Sequence, residues 1–316
     1  MSTNVPTSTK ADKPAVSPVL VLGIGVLAAS LSAILIRWAQ AEAPSLVIAA
    51  WRLTLAAVVL LPLAVIRQKE ELKALTAADW RLAFFAGGLL GIHFATWITS
   101  LEYTSVTSST VLVTTNPMWV AIASPFVLKE SISKPLKVGI VLALLGSLII
   151  TVGDALVMEG SSIIGFNWRG TDTQQPLWGN FLALLGAWAI AGYILIGRFL
   201  RPRLSLLSYT AVVYGTASLT LIIMVLISGQ PFFGYTPYIY LLFALMAIFP
   251  QMVGHTSFNW ALKFLPAAYV SITILGEPIG STILAFIILQ ELPNIPLIAL
   301  LGSLLIFIGI IAASRK

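Results

Sequence analysis

The stretch HFATW at residues 93–97, followed by NPMWVAIASPFVLKE at 116–130, decides the fold because its outline returns over residues 255–291. The same residue types recur in the same order: a histidine, a tryptophan, a polar residue joined to proline, and a closing glutamate. The matching positions are His93 and His255, Trp97 and Trp260, Asn116-Pro117 and Glu277-Pro278, and Glu130 and Glu291. Such a repetition indicates a duplicated unit, and duplicated membrane halves are characteristic of secondary transporters.

The composition is that of a helical membrane protein. Apolar residues make up 58% of the chain, charged residues only 9%, and the mean hydropathy is +0.97, whereas soluble domains carry about 25% charged residues. We predict an all-α membrane protein in the lipid bilayer, with ten transmembrane helices of about 20 residues. The ten apolar runs are 18–39, 45–66, 80–100, 105–128, 134–152, 176–199, 206–228, 236–262, 266–290 and 296–313.

The net charge of +6 is distributed unevenly between the loops. If the amino terminus is cytoplasmic, fifteen Lys and Arg residues lie inside and only Arg37 and Arg169 lie outside, while Arg52 falls within a helix. Cytoplasmic loops of membrane proteins carry this excess of basic residues. We therefore predict a multi-pass protein of the cell (inner) membrane with both termini cytoplasmic, and no nucleic-acid partner.

The longest polar segment between apolar runs, residues 153–175, divides the chain into halves. Each half holds five predicted helices, over 18–152 in the first and 176–313 in the second. Because five is an odd number, the second copy inserts upside down relative to the first. Inverted repeats of this kind place the substrate site near the membrane midplane, where the halves meet and rock against each other.

Several short motifs occur in an order and spacing typical of one family. They are Trp51-Arg52, Asn116-Pro117, Leu128-Lys129-Glu130 with Gly139 and Gly146, Gly276-Glu277-Pro278, and Gln290-Glu291-Leu292. With them, the chain resembles the EamA-type branch of the drug/metabolite transporter family from about Leu20 to Ala312. The halves differ in one spacing, because Gly302 follows Glu291 by eleven residues and Gly139 follows Glu130 by nine. The resemblance implies a ten-helix carrier, commonly an exporter of amino acids or other small metabolites in a bacterial inner membrane.

Arg52 is the charged residue that is most costly to place in this sequence. It falls about two turns below the outer end of the second predicted helix, where a charge needs a partner or water. In one interpretation Arg52 anchors a substrate carboxylate. In the alternative interpretation, Arg52 stabilises the fold through a fixed salt bridge or through hydrogen bonds to main-chain carbonyl groups.

Asn116 and Glu277 occupy matching positions near the centres of the fourth and ninth predicted helices. Thr273, Glu277 and Ser281 are spaced four residues apart and share one helix face. At membrane depth, such a polar face must look into protein or water rather than lipid. Glu277 is therefore a candidate for binding substrate and for proton coupling; the alternative is a permanent pair with Arg52.

The prolines beside these two residues predict irregular helices. Pro117 and Pro278 cannot donate a main-chain hydrogen bond, so the carbonyls of Val113 and Ile274 lose their usual partners. We expect kinks at both prolines, because kinked helices with spare carbonyls at the midplane are typical of transport cavities. Helices one to four and six to nine are expected to line that cavity.

The histidines and three tryptophans are further candidates. His93 and His255 can titrate near neutral pH, although they are equally explained as hydrogen-bonded packing residues inherited from one ancestral unit. Trp97, Trp119 and Trp260 either line an amphipathic substrate pocket or fill space between helices. Since no Asp or Cys accompanies the histidines, the sequence predicts no metal site, and we expect no cofactor.

Helices five and ten carry glycines seven residues apart, which allow helices to approach closely. They are Gly139 and Gly146 in the first half, and Gly302 and Gly309 in the second. We interpret these helices as a packing seam between the halves.

The sequence disfavours two other classes of membrane protein. A membrane-embedded enzyme is disfavoured, because every Asp lies in a loop or at a helix end and neither H-E-x-x-H nor G-x-S-x-G occurs. A channel-like protein normally shows a filter or a ring of like charges, and neither is visible. Because Arg52 is the single cation deep in a helix, the expected substrate is a small molecule such as a monocarboxylate, a zwitterionic amino acid or a weakly charged amphipath.

Overall fold

The structure is a computed structural model that describes residues 14–104, 106–159, 162–166, 175–289 and 297–314. Within these ranges the chain is a bundle of helices. Six of the described helical stretches are long and apolar enough to cross a membrane, and they correspond to predicted helices one to three and six to eight. They are Pro18–Ala39, Ser45–Arg67, Ala77–Tyr103, Trp178–Leu200, Leu206–Ser228 and Pro237–Ala261.

The helices of the first half follow the predicted apolar runs. In chain order they are α1 (Pro18–Ser30), α2 (Ser32–Ala39), α3 (Ser45–Arg67), α4 (Lys69–Ala74), α5 (Ala77–Tyr103), α6 (Val106–Val113), α7 (Asn116–Val127) and α8 (Lys134–Ala155). The first predicted helix is thus divided into α1 and α2, and the fourth into α6 and α7.

The helices of the second half follow the remaining predicted apolar runs. They are α9 (Pro176–Leu200), α10 (Leu206–Ser228), α11 (Pro237–Met246), a π-helical segment (Ala247–His255), α12 (Thr256–Ala261), α13 (Ala267–Ile274), α14 (Gly276–Leu289) and α15 (Leu297–Ser314). The ninth predicted helix is divided into α13 and α14. Gln290 and Glu291, which the repeat pairs with Lys129 and Glu130, lie outside the described residues.

Local sequence explains where several helices begin and end. Thr76 and Asp79 form a reciprocal capping box at the start of α5. The Ser205 hydroxyl accepts a hydrogen bond from the Ser208 main-chain N–H (3.1 Å) at the start of α10. Gly229 ends α10 with a left-handed φ of 69°, which favours glycine.

The segment between the halves contains a short β-hairpin that we did not predict from the sequence. After α8, the strands β1 (Leu156–Glu159) and β2 (Ser162–Phe166) pair antiparallel, with an irregularity between Val157 and Met158. The sequence analysis treated this segment as a polar loop. Its short runs LVME and SIIGF contain β-branched residues, which favour an extended backbone.

Close helix packing brings the two halves together. α8 and α15 pack against each other, and the four seam glycines of these helices are buried, as the sequence predicted. α5 packs against α9 and α10, where a Cβ at Gly87 would lie 2.5 Å from Thr216 Cβ and so could not be accommodated.

The predicted fourth and ninth helices meet in the interior. α7 packs against α13, and α6 contacts α14. α1 packs against α14 and against the π-helical segment, while α3 packs against α10 and the same segment. These contacts place the interruptions of three helices close to one another.

Candidate substrate site

Three helices in the described chain are interrupted where polar residues enter the apolar core. The interruptions lie between Ser30 and Ser32, between Val113 and Asn116, and between Ile274 and Gly276. Discontinuous helices are typical of transporter binding sites, because the interrupted main chain offers polar groups at membrane depth. The π-helical segment adds a fourth irregularity, and such segments frequently occur at functional sites.

Both predicted kink prolines lie at the start of a new helix. Pro117 is in the first turn of α7, and Pro278 is in the first turn of α14. A proline fits there because the first N–H groups of a helix have no partner within the helix. The α-helical hydrogen bonding is therefore interrupted beside both prolines, while Thr115 and Leu275 keep right-handed helical φ and ψ angles.

The Asn116 side chain supplies the hydrogen bond that Pro117 cannot donate to the Val113 carbonyl. Its Nδ2 donates to the Val113 carbonyl (3.3 Å), so that carbonyl is not spare as predicted. The residue is 2% exposed, and its Oδ1 is buried without a hydrogen-bond partner among the described residues.

Glu277 lies in the first turn of α14 and is partly exposed. The amino-terminal end of a helix favours a negative charge, which suits a carboxylate at this position. Its main-chain carbonyl lies 3.3 Å from Ser30 Oγ, and the Ser281 hydroxyl donates to the Ser30 carbonyl (2.8 Å). No hydrogen bond or ion pair within the described residues reaches the Glu277 carboxylate.

Arg52 is enclosed in the core, with 1% of its surface exposed. Its Nη1 donates to Ser32 Oγ (2.7 Å), its Nε donates to Gln251 Oε1 (2.9 Å), and its guanidinium carbon lies 4.2 Å from the centre of the Phe94 ring. Within the described residues, no ion pair of 4.0 Å or less joins Arg52 to Glu277. Arg52 is thus clamped by neutral groups.

Ser32 and Gln251 are site residues that the sequence analysis missed. Ser32 is 3% exposed and follows the α1–α2 break, and Gln251 is fully buried in the π-helical segment. The Gln251 main-chain carbonyl accepts hydrogen bonds from Thr256 Oγ1 (3.3 Å) and Tyr214 OH (3.5 Å). The one sequence signal was a glutamine beside a proline in an otherwise apolar run.

The two histidines meet at the centre of the bundle. Their ring centres are 6.5 Å apart, and both side chains are buried. His93 Nδ1 is hydrogen-bonded to the Gly186 carbonyl (3.0 Å), and Phe94 packs edge-on against His255 at 5.1 Å. They therefore adjoin Arg52 through the Phe94 ring, and this contact supports their interpretation as packing residues.

The three candidate tryptophans take different positions. Trp97 stacks on His93 at 5.9 Å, is 6% exposed, and has a buried Nε1 without a partner among the described residues. Trp119 packs edge-on against Trp188 at 5.5 Å. Trp260 packs against Phe264 at 4.6 Å, beside the loop between α12 and α13. The structure thus brings Trp97, but not Trp260, to the cluster around Arg52.

One end of the bundle is closed by contacts between the halves. Arg198 Nε forms an ion pair with Glu130 Oε1 (2.6 Å), and Arg198 Nη1 donates a hydrogen bond to the Leu262 carbonyl (2.8 Å). Further contacts join Arg203 to Asp79 (3.0 Å) and the Ser205 main-chain N–H to Glu71 (2.6 Å). The ends of α7, α9 and α12 are therefore tied together.

Arg201 strengthens this same end from within. It is 2% exposed, and it donates from Nε to the Asn259 carbonyl (2.9 Å) and from Nη1 to the Leu204 carbonyl. Burial lowers the pKa of Arg201, and the neighbouring Tyr209 and Glu71 oppose that effect. This arginine caps main-chain carbonyls rather than lying in open loop.

The opposite end of the bundle has a surface cavity of about 620 Å³. Its lining includes Arg37, Glu42 and Glu102, at the ends of α2 and α5. Glu102 Oε1 accepts a hydrogen bond from the Ser45 main-chain N–H (3.1 Å) at the start of α3. This end is also tied across the halves, because Thr236 Oγ1 donates to Glu42 (3.0 Å) and Trp51 Nε1 donates to the Phe232 carbonyl (2.8 Å).

A bundle of apolar helices that are interrupted around buried polar groups is the architecture of a multi-pass membrane transporter. The comparison with protein families makes the assignment specific. The model of the EamA-like transporter family matches residues 16–152 and matches again over residues 177–315. The chain belongs to this family.

Individual relatives agree with the family. "Uncharacterized transporter YyaM" of Bacillus subtilis is 26% identical over 275 residues, which cover 84% of this chain and 83% of the relative. An "Uncharacterized transporter" of Clostridium kluyveri is 30% identical over 260 residues, covering 80% and 78% of the two chains. One solved crystal structure shares the fold, with a TM-score of 0.69 at 17% identity over 94% of this chain and 96% of the other.

Proposed function

We propose that this protein is a secondary transporter that exports small metabolites such as amino acids across the cell (inner) membrane. The observation that carries the proposal is Glu277, a partly exposed residue that carries a carboxyl group at the start of a half-helix inside an apolar bundle. An ionisable group at this depth is expensive unless it serves a substrate or ion path. Membership in a transporter family supports the same conclusion.

The proposed topology has ten spans in two inverted repeats, over 18–152 and 176–313. Four spans beyond the six long helices are assigned to α6–α7, α8, α13–α14 and α15. Both termini are placed in the cytoplasm, because the end of the bundle that carries Arg198, Arg201 and Arg203 is the basic one.

Alternating access is the proposed mechanism. Contacts between the halves occur at both ends, at Glu130 on the side that we assign to the cytoplasm and between Glu42 and Thr236 on the other side. In the proposed mechanism, rocking of the repeats breaks the contacts at one end while those at the other end hold. The broken helices at Asn116 and Glu277 lie between the two ends, where the substrate would be exposed to each side in turn.

Protons are the proposed coupling ion, with Glu277 as the group that binds them. The carboxylate has no hydrogen bond or ion pair from the described residues, so a proton and a substrate would compete for it. Arg52 is the charged side chain whose field acts on it. The buried histidines His93 and His255 lie beside Arg52 and are second candidates.

A substrate-panel export assay tests this function. Cells that overproduce the protein are loaded with candidate amino acids and amines, and efflux is measured at two external pH values. We expect saturable efflux with counterflow for at least one substrate, and its loss in Glu277→Gln. The matched control is Glu102→Gln, which changes an exposed carboxylate at the rim of the cavity. Flux without saturation or counterflow would instead indicate a channel.

A further inference from the structure

Two opposite charges in this core are separated although they have strong reason to pair. Arg52 and Glu277 both lie within the apolar bundle, and unpaired charges there are costly. Even so, no ion pair of 4.0 Å or less joins them in the described chain. Something must therefore hold the guanidinium away from the carboxylate.

The groups that hold Arg52 are all neutral. Ser32 Oγ accepts from Nη1 (2.7 Å), Gln251 Oε1 accepts from Nε (2.9 Å), and the Phe94 ring covers the guanidinium at 4.2 Å. An arginine has no acceptor, so Gln251 must turn its oxygen toward Arg52. Its Nε2 is consequently left buried without a partner among the described residues. The orientation of Gln251 is thus dictated by Arg52.

The α1–α2 break holds the two charged residues at separate places. On one side of Leu31, Ser32 binds the Arg52 side chain. On the other side, the Ser281 hydroxyl donates to the Ser30 carbonyl (2.8 Å), and the Ser30 hydroxyl, which donates to the Val26 carbonyl (2.7 Å), lies 3.3 Å from the main-chain carbonyl of Glu277. The α1–α2 break therefore holds the guanidinium group of Arg52 on one side and the main chain around Glu277 on the other.

We propose that Ser32 and Gln251 are positioning residues that withhold Arg52 from Glu277, so that Glu277 is the charge that meets a substrate amine. Arg52 is 1% exposed, whereas Glu277 is partly exposed. A protonated amine can therefore reach its counter-charge, and a carboxylate cannot. This inference rests on the proposed transport function and names its substrate class: small organic amines, including amino acids bound through their ammonium group.

The experiment uses an apolar reagent, dicyclohexylcarbodiimide, which attaches to protonated carboxyl groups inside membranes. The purified full-length protein in lipid nanodiscs is labelled, and modification of Glu277 is followed by mass spectrometry. We expect labelling of the native protein, slowed by phenethylamine but not by 3-phenylpropionate, an anion of similar size. Slowing by the anion alone, or by neither compound, would overturn the amine assignment.

The double variant Ser32→Ala with Gln251→Leu removes both acceptors from Arg52. The released guanidinium should pair with Glu277 and keep it ionised, slowing the labelling by about tenfold or more. Adding Arg52→Gln to the same variant should restore labelling, a rescue that a merely structural role of Ser32 and Gln251 would not produce. Labelling of the double variant at the native rate would overturn the proposal.

Two controls keep the result interpretable. Thr54→Val removes the hydrogen bond between Thr54 and Ser218 (2.7 Å), which links α3 to α10 elsewhere, and should leave labelling unchanged. If the double variant does not fold, Ser32→Ala alone should slow labelling severalfold, and an unchanged rate contradicts the proposal. Because labelling requires no transport, this result is independent of the export assay.

Discussion

The breaks at Asn116 and Glu277 occupy matching positions in the repeat but differ in what they leave open. At the first, a 2%-exposed amide bonds the Val113 carbonyl and completes the end of α6. At the second, Glu277 is a partly exposed residue whose carboxylate receives no bond from the described residues. Both copies therefore carry the proline and the interruption, while only the second copy carries a carboxyl group there.

The largest effect is expected from Glu277→Gln, which keeps the size of the side chain and removes its charge. Proton-dependent transport should fall to the level of cells without the protein, because the variant cannot exchange a proton for a substrate. Initial rates across a pH series measure this, and the profile should become flat. Native rates with a native pH profile would remove Glu277 from the mechanism.

Gly280→Ala tests the close contact of α14 with α1, which fixes the position of Glu277. The added Cβ would overlap the Ser30 hydroxyl, and overpacking of this kind costs roughly 1–3 kcal/mol. We expect a lower melting temperature in detergent. The matched control, Gly88→Ala, places a methyl group where nothing lies within 4 Å and should not lower it. Equal melting temperatures for the two variants would contradict the packing described.

Asn116→Leu should have a smaller effect, because Asn116 serves the framework of its break. Loss of the bond to the Val113 carbonyl costs about 1 kcal/mol, and transport should remain within a few-fold of the native rate. Thermal unfolding and the export assay measure the two quantities. If Asn116→Leu abolishes transport as Glu277→Gln does, the contrast between the two breaks is wrong.

The smallest effect on stability is expected at the far end of the α7 helix that Asn116 begins. Glu130→Gln removes a partly exposed ion pair with Arg198, and such pairs contribute about 0–1 kcal/mol. The melting temperature should change little, whereas opening of this end should become easier. A fall in melting temperature as large as that of Gly280→Ala would show that the Glu130–Arg198 ion pair stabilises the fold far more than we expect.

The sequence predicted the six long helices and irregular helices at the two matching prolines, because both depend on local features. Runs of apolar residues predict spans, and Pro117 and Pro278 mark the interruptions. It did not predict the hydrogen bonds that hold Arg52. Ser32 and Gln251 lie far from Arg52 in the sequence, and only the packing of three separate segments brings them into contact with it. The hairpin after α8 was not predicted, because its two short strands lie within a segment that is polar as a whole.

Cross-linking the closed end tests alternating access most directly, because the chain contains no native cysteine. Glu130→Cys and Arg198→Cys are combined, and the pair is joined with a short bis-methanethiosulfonate; each single variant serves as the control. Transport should stop on cross-linking and return when the linkage is reduced, because this end must open in every cycle. Transport at the unlinked rate in the cross-linked protein would contradict the account.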